Sequence, residues 1–144
     1  MKKLLLIVIS IFIIATAIIL ILPPQNKKST STSVKNNGSL YDQQANKICS
    51  MLTKASELYK TKKYEEAAKT SDSAYWDVYD NIMEIKYRSF ASPSDIFEVE
   101  NKFHAYTDKL RIPYTPQNMS QIIRHKNMIC DEMQKEAQIL NKNS

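Results

Sequence analysis

The chain has 144 residues and a single glycine, Gly38, so the whole stretch from residue 40 onward has none. A β-sandwich or doubly wound sheet of about 100 residues needs glycine at turns where φ is positive, whereas short helix connections can manage without it. The net charge of +5 comes from five lysines near the N-terminus, because 15 basic and 15 acidic residues balance from Tyr41 onward. A nucleic-acid-binding domain would carry its positive charge on the folded part, so this function class is excluded.

The first element is an apolar segment, residues 4–22, which follows Lys2 and Lys3 and contains only two hydroxyl residues. Nineteen residues in a helix span about 28 Å, close to the hydrocarbon thickness of a bilayer. The pattern predicts a single transmembrane signal-anchor, with residues 1–3 at its cytoplasmic end. Lysines flank both ends, and the balance slightly favours an N-terminus inside and a following domain outside the cytoplasmic (inner) membrane.

The alternative is a cleaved secretory signal, since Ala15-Thr16-Ala17 fits a cleavage site by residue type. Cutting there would leave five apolar residues, 18–22, at the mature N-terminus, so the uncleaved anchor is favoured. Pro23-Pro24 ends the apolar helix, and the polar stretch that follows predicts a flexible linker over residues 23–40. Residues 41–144 are then the exported domain, large enough for one modest hydrophobic core.

Four amphipathic helices are predicted in this domain from apolar residues that recur at spacings of three and four. The four stripes are Tyr41, Ala45, Ile48, Leu52, Ala55 and Tyr59; Tyr64, Ala68, Ser71, Tyr75, Val78, Ile82 and Ile85; Ile96, Val99, Phe103, Tyr106 and Leu110; and Met119, Ile122, Ile129, Met133, Ala137 and Leu140. The tyrosine rings are expected to pack while their hydroxyls reach the surface.

The helix boundaries are marked by capping signals. Ser92-Pro93 with Asp95 forms a capping box before the third helix, and Thr115-Pro116 repeats the signal before the fourth. Residues 61–63 form a short break between the first two helices. Short connections make consecutive helices antiparallel, so the predicted fold is an all-α, antiparallel up-down-up-down four-helix bundle preceded by one N-terminal transmembrane helix.

The only two cysteines, Cys49 and Cys130, lie near the middles of the first and fourth predicted helices. These helices are neighbours in such a bundle, and export would favour a disulfide between them. The alternative is two small buried side chains that never meet.

An acidic stripe on the second helix continues onto the third. Asp77, Asp80 and Glu84 share one face, and Glu100 and His104 stand four residues apart on the next helix. Carboxylates with one imidazole suit iron or another divalent metal, although a solvated charged face gives the same pattern. No phosphate loop, nucleophile elbow or zinc-hydrolase motif is found in the sequence, so enzyme activity is not expected.

One stretch of the sequence resembles a known family. Ala74-Tyr75-Trp76-Asp77-Val78-Tyr79-Asp80, then Met83-Glu84, and later Glu98-x-Glu100-x-x-Phe103, is similar to the exported helical domain of bacterial high-affinity iron permeases. The recognisable motif covers residues 55–111. The permeases' Arg-Glu-x-x-Glu transport motif and several membrane helices are absent from this sequence, and Asp80 replaces the usual glutamate.

The resemblance implies a stand-alone accessory of iron uptake that binds iron weakly or docks on a permease. It carries Asp80, Glu84 and Glu100 over as acidic positions, iron as the ligand, and an iron permease or other envelope protein as the partner. The alternative is a structural interaction module, such as a subunit of an envelope complex or an exclusion or immunity factor, with no metal role.

Overall fold

The computed structural model describes residues 38–144, and these residues form four helices and no strand. Helix α1 is Leu40–Lys60, α3 is Pro93–Arg111 and α4 is Pro116–Lys142. Helix α2 runs through three consecutive stretches, which are Tyr64–Ser73, the π-helical Ala74–Glu84 and Ile85–Tyr87. The predicted all-α class is therefore confirmed. The predicted anchor and nearly all of the predicted linker lie outside the described residues.

Side-chain caps define where the helices begin. Ser39 and Asp42 form a capping box at the start of α1, and Ser92 and Asp95 form one at the start of α3, where Pro93 occupies the first turn. The Thr115 hydroxyl accepts a hydrogen bond from the backbone N–H of Asn118 at the start of α4. The two boundaries predicted at Ser92 and Thr115 are confirmed, because the capping oxygens satisfy N–H groups that have no partner within the helix.

The connection between α1 and α2 needs one residue with positive φ, and it is provided without glycine. Lys62 adopts a φ of 63°, in the left-handed region. Three backbone N–H groups, those of residues 61, 62 and 63, donate to carbonyls in the last turn of α1 and close the connection. The strain at one lysine replaces the glycine that usually ends a helix.

Helices α1 and α4 run antiparallel along their whole lengths. Asn118 near the start of α4 donates to the Tyr59 hydroxyl at the end of α1, and Asn141 near the end of α4 donates to Asp42 at the start of α1. Midway between these contacts, Cys49 and Cys130 form a disulfide with Cα atoms 5.5 Å apart. The predicted disulfide is confirmed. Closing a loop of 81 residues stabilises the fold by about 4 kcal/mol in the chain-entropy treatment.

Helices α2 and α3 also pair in antiparallel fashion. The hydroxyls of Ser71 and Thr107 share a buried hydrogen bond of 2.7 Å, and Arg111 at the end of α3 contacts Asp72 at 3.1 Å. Helix α3 meets α4 through Lys102, whose amine lies 3.6 Å from Glu132. All four helices contribute to one continuous cluster of buried apolar residues.

The predicted core stripes hold for α1, α3 and α4, and that of α2 fails at its last residue. Ile85 was predicted to be buried but is 57% exposed, while Tyr79, Met83 and Glu84 are fully buried in its place. The cause is the π-helical stretch, which bonds residues five apart and so rotates the following side chains out of the 3.6-residue register.

The hydroxyls of Tyr59, Tyr79 and Tyr106 have partners inside the domain, so the prediction that the tyrosines of the stripes extend their hydroxyls to the surface is wrong for Tyr59 and Tyr106. The Tyr106 hydroxyl donates to the Leu52 carbonyl at 2.6 Å and lies 2.9 Å from the Ser56 hydroxyl. All three rings are fully buried. Internal partners satisfy these hydroxyls, which would otherwise be costly to bury.

Candidate functional site

The π-helical stretch of α2 is the most unusual local structure among the described residues. It spans Ala74–Glu84, and the side-chain amide of Asn81 donates to the Trp76 carbonyl five residues earlier. Widening the helix by one residue per turn places Tyr75, Tyr79 and Glu84 on its inner face. Such segments are frequent at functional sites, so the groups around it are the first candidates.

Glu84 is a fully buried carboxylate at the end of this stretch. Its Oε1 accepts from Nε of Arg88 at 3.0 Å and also from a terminal nitrogen of the same guanidinium. The hydrogen bond to Glu84 and its negative charge raise the pKa of Arg88. The second oxygen, Oε2, is buried and has no hydrogen-bond partner among the described residues.

Glu136 is a second fully buried carboxylate, on the inner face of α4. Its Oε1 accepts from the Tyr79 hydroxyl at 3.4 Å, and its Oε2 also lacks a partner in the part of the chain that the structure describes. Burial raises the pKa of Glu136 to about 8, and the negative charges of Glu132 and Glu84 add to the effect. Glu136 is therefore mostly protonated at neutral pH.

Tyr79 donates a hydrogen bond to Glu136, and its pKa is raised first by burial and then by the charges of Glu136 and Glu84. We call Glu84 and Glu136 the buried acid pair. The two residues come from α2 and α4, and the charge of Glu84 contributes to the raised pKa of Glu136. Neither apolar periodicity nor the family resemblance pointed to Glu136. The available signal was its position one residue before Ala137 in the apolar stripe of α4.

The five residues predicted as metal ligands do not converge on one point. They divide into exposed Asp77 and His104, half-buried Asp80 and Glu100, and buried Glu84. The His104 ring packs against the ring of Tyr75, with centroids 5.1 Å apart. Within residues 38–144, no group of three or more His, Cys, Asp or Glu residues is arranged to hold a metal ion. Iron needs several converging oxygen or nitrogen ligands, so this set does not fit as one iron centre.

Part of the predicted acidic stripe does act on a common group. Burial raises the pKa of Tyr75 to about 12, with further contributions from the charges of Glu100, Glu84 and Asp80. These three are the acidic positions carried over by the family resemblance. The charges of all three carboxylates therefore act on Tyr75, and Glu84 is also paired with Arg88.

A shallow groove lies beside the connection between α2 and α3. It has a volume of about 420 Å³, and its lining consists of Arg88, Ala91, Pro93, Ile96, Phe97 and Glu100. The Phe97 side chain is 63% exposed although it is large and apolar. Phe97 was not among the residues predicted to be functional, because it directly follows Ile96 and lies beside the apolar stripe of α3 rather than in it.

Comparison of the chain with protein-family models, curated proteins and solved structures finds no match. None of the helices formed by residues 38–144 combines the length and the apolar character required for a membrane span. The predicted anchor at residues 4–22 lies outside that range.

The buried acid pair predicts a specific dependence of stability on pH. Because the folded-state pKa of Glu136, about 8, exceeds the ordinary value of 4.5, protonation of Glu136 favours the folded state. This contribution is fully present below about pH 4.5 and is lost as the pH rises through about 8. Glu136→Gln keeps the shape of the side chain and removes the titration. The free energy of unfolding of the variant, relative to that of the wild type, should therefore rise by up to about 4 kcal/mol between pH 5 and pH 9.

Urea unfolding of both proteins at pH 5, 7 and 9 measures this difference in the free energy of unfolding. Glu57→Gln, which alters an exposed glutamate on α1, is the matched control and should track the wild type. A constant difference between Glu136→Gln and the wild type across this range would contradict the account.

Proposed function

We propose that the chain is a membrane-anchored accessory domain of the cell envelope that works by binding rather than by catalysis. Residues 4–22 hold it in the cytoplasmic membrane, residues 23–40 form the tether, and the four helices lie outside as an antiparallel up-down-up-down bundle. The antiparallel pairing of α1 with α4 and of α2 with α3 supports this arrangement. The binding partner is a component of the same membrane.

The observation that carries the proposal is the apolar surface at one end of the domain. Phe90, in the α2–α3 connection, and Phe97, at the groove, are 48% and 63% exposed. Exposed large apolar side chains that cluster beside a groove are typical of interaction surfaces. Glu100 on the rim of the same groove is one of the positions shared with the iron-permease domains, so a permease is the protein partner that the resemblance suggests.

The disulfide supports the exported location. Cysteine pairs persist in oxidising compartments and are rare in the reducing cytoplasm. Cys49 and Cys130 are bonded, so the domain is suited to the outer side of the membrane.

Fractionation of cells that express the full-length chain tests the anchor and its orientation. The protein should sediment with the membrane at its full mass, resist extraction by alkaline carbonate, and lose its domain when protease is added from outside. This is expected because the apolar run of residues 4–22 is long enough to span the bilayer. Recovery of a soluble form beginning near Ile18 would show cleavage and contradict the anchor.

Weak cation binding linked to iron uptake is a second candidate, and the specific observation that favours it is the buried acid pair. Two fully buried carboxylates each present one oxygen without a partner among the described residues. A cation bound between them would offset their mutual repulsion and would stabilise the fold by linkage.

Thermal melting of the full-length protein in detergent, with and without ferrous iron, tests this second candidate. The melting temperature should rise with metal concentration in the wild type and in Asp77→Asn, which alters an exposed carboxylate. It should not rise in the Glu84→Gln/Glu136→Gln double variant. If the melting temperature of the wild type does not rise with metal, or that of the double variant rises equally, the domain is an interaction module without a metal role.

A further inference from the structure

The start of α1 lies at the same end of the domain as the α2–α3 connection and the end of α4. Tyr41, Phe90 and Leu140, from these three parts of the chain, line one shallow depression. We call this the link end. Because Ser39 caps α1, the predicted tether joins the domain here. The chain that leads to the predicted anchor therefore enters the link end directly.

Large apolar side chains surround the link end and point into solvent. They are Leu40, Ile85, Phe90 and Phe97, with exposures of 58%, 57%, 48% and 63%. Each lies on the first or last two turns of a helix at this end, or in the connection itself. None of the four belongs to the buried core cluster.

Charged side chains of both signs surround the link end. Lys86 and Lys142 are exposed, and Arg88 retains 62% exposure of its side chain beside buried Glu84. Asp42 and Asp95 serve in the two capping boxes, Glu98 pairs with Lys102 at 2.9 Å, and half-buried Glu100 lines the groove beside Phe97. The exposed apolar side chains, rather than a net charge, are therefore what suits this end of the domain to insertion among lipid headgroups.

We infer that the link end rests on the lipid surface of the membrane that holds the anchor, with Phe90 and Phe97 inserted among the headgroups. This inference rests on the proposed anchor. As a random coil, the predicted tether from residue 23 to the Ser39 cap would have a root-mean-square length of roughly 22 Å, which keeps the link end within reach of the bilayer that holds the proposed anchor. Because the tether holds the domain beside the bilayer, the membrane contacts the link end without a separate association step.

The opposite end of the domain provides an internal comparison. Ile112, between α3 and α4, is 51% exposed and also apolar. It lies a full helix length from the tether, since α3 runs between the two ends. A tryptophan at position 112 therefore reports on random contact between the domain and lipid, while one at position 90 or 97 reports on the link end.

Quenching by brominated lipid tests the inference with the full-length chain. Three proteins share a Trp76→Phe background and carry a single tryptophan through Phe90→Trp, Phe97→Trp or Ile112→Trp. Each is reconstituted into vesicles of phosphatidylcholine and phosphatidylglycerol, with bromine on the upper acyl carbons. Quenching should be at least about threefold stronger at positions 90 and 97 than at position 112.

Flotation of the same vesicles tests the membrane anchor separately from the lipid contact of the link end. If the protein does not float with the lipid, the anchor is wrong and the lipid contact fails with it. If it floats but positions 90 and 97 are quenched no more than position 112, the anchor stands and the lipid contact is overturned. The exposed phenylalanines would then belong to a protein partner.

Discussion

The disulfide between Cys49 and Cys130 is the constraint on which the rest of the domain depends. It joins the first and last helices at their middles, and polar contacts secure the same pair near both ends. The chain between the two cysteines contains all of α2 and α3. Because the disulfide holds α1 beside α4, α2 and α3 pack against the apolar faces of that pair. All four helices therefore share one core.

That core contains more polar groups than a plain helical domain needs. Most are paired across helices, as Ser71 is with Thr107 and as Tyr106 is with the α1 backbone. Four buried side-chain oxygens have no partner within residues 38–144, and two of them belong to the buried acid pair. A buried carboxylate without full partners lowers stability unless it takes up a proton or a cation. The raised pKa of Glu136 shows that a proton meets this need at neutral pH.

Sequence periodicity was sufficient for the helices and their caps, because a 3.6-residue stripe and a capping box are local properties. It also placed the cysteines on adjacent helices, since short connections make the order of packing predictable. It failed where α2 becomes π-helical, because the wider turn removes Ile85 from the core and admits Glu84. Nothing local in the sequence signals that change of register.

The candidate site was harder to predict than the fold for the same reason. Of the five residues predicted to bind metal, Glu84 alone is fully buried, and it pairs with Arg88 of its own helix rather than with a residue of α3. The other buried carboxylate, Glu136 on α4, was not predicted. A glutamate next to an apolar stripe is usually solvated, so its burial depends on the packing of α2 against α4. Exposed Phe97 was not predicted, because the sequence alone does not show that the start of α1 and the start of α3 lie at the same end of the domain.

The proposed export of the domain accounts for the disulfide and for the polar sequence of the predicted tether. The redox state of Cys49 and Cys130 in living cells tests this central claim most directly. Acid trapping followed by alkylation and intact mass measurement should find both cysteines bonded in the full-length protein. They should be reduced in a variant that lacks residues 4–22. Free thiols in the full-length protein would contradict the account.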